Sequence, residues 1–168
     1  MTLNLVIIIA VAGLTAWAFD QVLLGYLPKP EDITCLTRKE YGFVHAVADT
    51  LFPKGGAIEI SGEEARVSHY IDDYLCKSPA LQRILMKALF FLMEHATVIT
   101  FAGITRFSRL PMAKRVKYLE GWEFSRFYFR RIAFLSLRAL IAMAYFACPE
   151  VEKAIGYDHL KNCDYPQA

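Results

Sequence analysis

The sequence predicts an all-α protein, a helical bundle of about five to six helices behind one N-terminal transmembrane helix. Three observations carry this. Helix-start signals and a 3.6-residue apolar period succeed one another along the chain, while alternating strand patterns are nearly absent. An uncharged apolar run, Leu3 to Phe19, opens the sequence. Hydrophobic residues are 55% and charged residues 21% of the 168, with a mean hydropathy of +0.29. An ordinary soluble domain of this length needs less apolar surface. The surplus has to face lipid, a partner subunit or an apolar ligand.

The spans expected are an anchor over 1–27, a linker over 28–35 and a helical domain over 36–168. Nine residues of the Leu3–Phe19 run are Leu, Ile, Val or Phe, which favours insertion by about 3–5 kcal/mol. A helix of that run rises about 25 Å, short of a hydrocarbon core of roughly 30 Å. The shortfall closes if Val22–Leu27 continue the helix, with Trp17 and Tyr26 as interfacial aromatics and Pro28 as the stop. A cleaved signal peptide is the competing reading, since Ala16-Trp17-Ala18 has the small-x-small pattern. No basic residue precedes the run, which favours the anchor. Lys29, Arg38 and Lys39 follow it, so the positive-inside rule places the body on the cytoplasmic face of a single-pass membrane protein.

Beyond the stiff linker Pro28–Asp32, Thr37 and Glu40 form a capping box with Leu36 and Tyr41 as its hydrophobic staple. The helix they open shows Val44, Val47, Ala48 and Leu51 on one face and stops at Pro53. Lys54-Gly55-Gly56-Ala57 is a turn. Ser61 and Glu64 are a second capping box, opening a helix through Val67, Tyr70, Ile71, Tyr74 and Leu75. Ser78-Pro79 starts a third helix, reaching toward Ile104. Met86 to Phe101 is apolar nearly all round, so this helix is buried or meets lipid or a partner. A break at Phe107–Pro111 precedes a helix to Glu120, with Gly121 as its stop. A long aromatic helix follows from Glu123 to Ala147, and Pro149 begins a short one ending near Ile155-Gly156.

Charge is unevenly spread. Lys29 to Leu75 holds five basic and nine acidic residues, whereas Thr105 to Arg131 holds eight basic and two acidic. Two surfaces with different partners are implied. The net charge of +2 gives no global argument for nucleic acid. The four cysteines, Cys35, Cys76, Cys148 and Cys163, lie far apart without a CxxC pair, so idle thiols are expected over two disulfides.

The sequence carries none of the familiar catalytic or cofactor-binding motifs. GxGxxG and GxxxxGK[ST] are absent, as are CxxCH, HExxH and GxSxG. No Glu precedes a His by three residues, as a di-iron bundle requires. His45 and Asp49 lie one helical turn apart, but a surface pair explains them. Asp72-Asp73 reads as a solvated face. Glu94-His95 sits in an apolar helix as a buried pair or partner contact. His69 and His159 have no ligand pattern. No catalytic, cofactor-binding or metal-ligating residue is therefore expected in this chain. The basic and aromatic stretch from Arg106 to Arg131 suits anionic lipid headgroups or partner docking.

Two stretches carry a family resemblance. Leu36-Thr37-Arg38-Lys39-Glu40, then Val47-Ala48-Asp49-Thr50-Leu51-Phe52-Pro53, resembles the opening of the gluconate 2-dehydrogenase subunit 3 family. Phe107–Pro111, Arg115, Leu119, Gly121-Trp122, Ser125-Arg126, Pro149-Glu150-Val151 and Ile155-Gly156-Tyr157 are similar to the helical region of long-chain alcohol oxidases. Both regions serve flavoproteins of the glucose-methanol-choline (GMC) class. The resemblance implies a non-catalytic small subunit that anchors a separate FAD-containing, GMC-type alcohol dehydrogenase or oxidase acting on an apolar substrate. FAD is then expected in the partner and no cofactor here. The docking residues expected are Phe107, Arg109, Leu110, Trp122, Arg126 and Tyr128. The rival expectation is a self-sufficient membrane protein that binds lipid or sterol between its helices.

Overall fold

The computed structural model describes residues 25–99 and 105–157, together with Gly13 and Thr15. The Leu3–Phe19 run and His159 and Cys163 lie outside that range, Gly13 and Thr15 excepted. Six α-helices form the described part, and no strand occurs among the described residues. They are α1 (Arg38–Leu51), α2 (Val67–Lys77), α3 (Ala80–Ile99), α4 (Met112–Glu123), α5 (Tyr128–Phe146) and α6 (Pro149–Ala154), with a 3-10 turn at Phe107–Arg109 between α3 and α4.

Helix α1 is the hub. It packs against α2, α3, the 3-10 turn, α4 and α5. Its small residues make this possible, because Gly42, Ala46 and Ala48 are buried beside Phe43, Val44 and Val47. Gly42 meets the ring of Tyr26 so closely that a Cβ there would lie 3.0 Å from it. The capping box forms as the sequence implies. Thr37 N–H donates to Glu40 Oε2 at 2.8 Å, and Glu40 N–H donates back to Thr37 Oγ1 at 3.4 Å. Ahead of Pro53 the helix ends at Leu51.

The second box, Ser61 with Glu64, also closes, but it caps a turn and not the helix. Arg66 then takes a left-handed conformation (φ 52°), and α2 begins afresh at Val67. The turn must hug α1 here. A Cβ on Gly62 would lie 2.7 Å from the Ala48 carbonyl oxygen, and Gly62 N–H donates to Phe52 O at 2.9 Å.

Gly121 does not stop α4, which runs on to Glu123. A glycine terminates a helix by going left-handed, and Gly121 keeps helical geometry within α4. The aromatic helix begins at Tyr128, five residues later than expected, leaving Phe124–Phe127 as a connecting bend. Two phenols fasten the periphery. Tyr118 donates to Met93 O, joining α4 to α3, and Tyr145 donates to Ile60 O while its ring stacks on Phe52 at 3.7 Å.

The segment ahead of α1 is held along its length. Residues 25–30 are not helical and Gly25 has φ +72°, so the expected continuation of a helix through Val22–Leu27 does not hold at its end. Tyr26 is buried in the body, where no lipid interface can reach it. Arg38 donates to the carbonyls of Tyr26 and Leu27, and Lys29 to that of Leu36. Asp72, expected on a solvated face, is buried and accepts from the N–H groups of Thr34 (2.9 Å) and Leu36 (2.6 Å). A Cys35–Cys76 disulfide joins the same strap to α2, correcting the expectation of idle thiols at those two positions. Cys148 is a free thiol. The expected linker is a strap over α2.

Candidate functional site

The polar chemistry of the interior gathers where α3 meets the 3-10 turn. An apolar helix turns one acid inward, Glu94, and it is 3% exposed. Ser108 answers it twice, N–H to Oε2 at 3.1 Å and Oγ to Oε1 at 2.5 Å. Arg106, 1% exposed, lies 3.4 Å from Glu94 and donates from Nε to Ser108 Oγ at 3.0 Å. Its guanidinium covers the Tyr26 ring, 3.7 Å from the centroid. Arg115 donates to Ser108 O at 2.7 Å and approaches Asp49 at 3.6 Å. Burial raises the Glu94 carboxyl above its usual range, against the opposing pull of Ser108 and Arg106. The cluster ties α3, the turn, α4, α1 and the incoming strap into one unit.

An apolar cleft of about 90 Å³ opens beside it, lined by Tyr26, Phe43, Phe90, Phe91, Glu94 and His95 among others. His95 packs against Phe91, with ring centroids 4.6 Å apart and the ring planes tilted by 55°. Burial, then the charges of Lys39 and Arg106, push its imidazole down. His45 and Asp49 do not act together. His45 lies 3.7 Å from Glu63, while Asp49 faces Arg115. His69 meets Asp32 at 3.0 Å. Among the described residues no group of three or more His, Cys, Asp or Glu side chains could hold a metal ion.

The expected docking residues divide. Phe107, Leu110 and Trp122 are core side chains, so no partner can touch them in this fold. Phe107 packs edge-on against Phe43 and against Tyr118, and Trp122 lies beneath the Arg130 guanidinium. Arg109, Arg126 and Tyr128 are on the surface. Arg109 lies by Gly25, where a Cβ would stand 2.6 Å from its Nη2.

The surface around Arg126 and Tyr128 is larger than those two residues. Phe124, Phe127, Tyr128 and Phe129 are all exposed, Phe129 by 85%. Tyr128, Ile132, Leu135, Met143 and Phe146 continue the row at helical spacing along the outer face of α5, while Phe134, Leu137, Ile141 and Ala144 fill its inner face. Arg126 and Arg131 border it. Aromatic side chains beside arginine are what the centres of protein interfaces are enriched in. Sequence periodicity missed this because α5 is apolar on both faces, and only packing tells which one is inside. Arg106 and Ser108 were missed too, for they become partners of Glu94 only through the turn.

No curated protein and no solved structure matches the chain. A family model does, over residues 38–161 and so well over half of the sequence. The chain therefore belongs to the gluconate 2-dehydrogenase subunit 3 family, and it is a small accessory subunit that serves the catalytic subunit of a dehydrogenase complex.

Proposed function

We propose that the chain is the non-catalytic membrane-anchoring subunit of a GMC-type, FAD-dependent alcohol dehydrogenase or oxidase acting on an apolar substrate. One observation carries the docking half of this reading: the outward row Phe124, Phe127, Phe129, Ile132 and Leu135 with its bordering arginines. A chain acting alone rarely exposes so continuous an apolar surface. The catalytic subunit is its occupant in this reading, and the uncharged Leu3–Phe19 run is the tether to the bilayer. The Cys35–Cys76 disulfide favours an oxidising compartment for the body. That supports the exported side over the cytoplasmic face suggested by Lys29, Arg38 and Lys39.

The lipid- or sterol-binding alternative has less support. Ligands of that size fill pockets of roughly 300–1,000 Å³, and the apolar cleft beside Glu94 offers about 90 Å³. A larger cleft, about 520 Å³, is walled by Asp32, Arg66, His69 and Glu150, which suit no sterol.

Co-expression of the tagged full chain with its catalytic subunit, followed by detergent extraction, is the test. A complex with stoichiometric flavin absorbance is expected. A tagged chain that emerges alone and colourless overturns the reading.

A further inference from the structure

Helix α3 carries a second unpartnered face whose chemistry differs from that of α5. Leu81, Ile84, Leu85, Phe91 and Leu92 are each about half exposed or more, and Ala88 is exposed between them. Their spacing puts them on one side of the helix. No acid and no base belongs to this row. Glu94 is turned inward and Lys87 is drawn toward the strap, 3.0 Å from Glu40 and 2.7 Å from Cys35 O.

We propose that this face of α3 lies in the bilayer interface, as an in-plane amphipathic helix beside the point where the N-terminal anchor enters the lipid. The occupant follows from three features. Among the described residues of the body the first buried side chain is Tyr26, and it lines the same cleft as Phe91 and His95 of α3. The uncharged Leu3–Phe19 run is thus tethered within a few residues of one end of this face. Secondly, the row lacks the Trp, Tyr and Arg anchors that mark protein hot spots, while the α5 surface has Tyr and Arg. Aliphatic side chains with one Phe suit hydrocarbon. Thirdly, the row from Leu81 to Leu92 spans only about 16 Å at 1.5 Å per residue, so it cannot cross the membrane. No helix among the described residues is long and apolar enough to do so. A helix with such a face lies in the plane of the interface, its apolar side buried by about 5–10 Å.

The inference rests on the anchored reading above, and one preparation separates the two. The full chain, with Cys148→Ser and Cys163→Ser, carries a bimane label at Leu85→Cys, at Ala88→Cys or at Lys117→Cys on the exposed side of α4. It is reconstituted into phosphatidylcholine–phosphatidylglycerol vesicles with or without doxyl-labelled lipid. We expect the vesicles to float with the protein, doxyl lipid to quench the 85 and 88 labels at least threefold, and the 117 label to be unchanged. Flotation with labels 85 and 88 open to aqueous iodide and untouched by doxyl lipid overturns the inference and spares the anchor. Labels 85 and 88 shielded from both quenchers show protein on this face, which also overturns it. A chain that stays at the bottom of the gradient sinks both readings.

Discussion

At the scale of single residues, Glu94 and its neighbour His95 show how one helix divides its polar work. Glu94 is held by Ser108 and Arg106 inside the body. Removing it takes an ion-pair partner from a guanidinium only 1% exposed. Glu94→Ala is therefore expected to cost about 3–5 kcal/mol, the usual penalty for breaking a buried pair. Urea unfolding in detergent measures it, and a loss below about 1 kcal/mol would mean the cluster is wet. His95 has the opposite protonation preference from Glu94. Its lowered value in the fold means that it contributes stability above the unfolded imidazole value of about 6.5, lost as pH falls through the lowered folded one. Glu94, raised in the fold, contributes stability below the unfolded carboxylate value and loses it as pH rises through the folded one. Between pH 7.5 and 5.5 the wild type should lose more stability than His95→Gln does. Identical pH slopes for the two proteins would show that His95 titrates as it does in water.

At the scale of elements, the clearest expectation concerns the strap ahead of α1. Cys35 and Cys76 close a loop with a sequence separation of 41, and chain-entropy arguments give such a crosslink about 2–4 kcal/mol. Reduction with a membrane-permeant phosphine should lower the melting temperature by several degrees, and Cys35→Ser should reproduce the shift. No shift would mean that the hydrogen bonds of Asp72, Arg38 and Lys87 secure the strap without it. A second expectation lies in α4. Gly121 is helical, and a Cβ there meets nothing within 4 Å. Gly121→Ala should stabilise the fold by about 0.5–1 kcal/mol. These two elements also mark what the sequence could and could not disclose. Local chemistry was legible: the Thr37–Glu40 box, the proline ahead of α3, and the short helix at Pro149, whose end is followed by Gly156 at φ +75°. Features made by tertiary contact were not. Asp72 reads as a surface acid until the Thr34 and Leu36 amides arrive from 36 or more residues away. Gly121 reads as a stop because a glycine's sequence carries no record of its φ.

At the scale of the whole molecule, two apolar faces remain among the described residues after the core is filled, one on α5 and one on α3. The docking residues first expected were drawn half from the wrong side of the chain's surface. Phe107, Leu110 and Trp122 build the floor that positions α4 and α5, whereas Phe127, Phe129 and Leu135 stand outside it. Aromatic content locates an interface only when burial has been subtracted. This gives a discriminating mutation. Phe129 is 85% exposed, so Phe129→Asp should leave helicity and melting temperature within experimental error. A residue at the centre of a subunit contact contributes about 2 kcal/mol or more, which corresponds to roughly a thirtyfold loss of affinity. Phe129→Asp should thus release most of the catalytic subunit during affinity purification, whereas Leu85→Asp on α3 should retain it. If Phe129→Asp keeps its full complement of flavoprotein, the α5 face is not the docking surface.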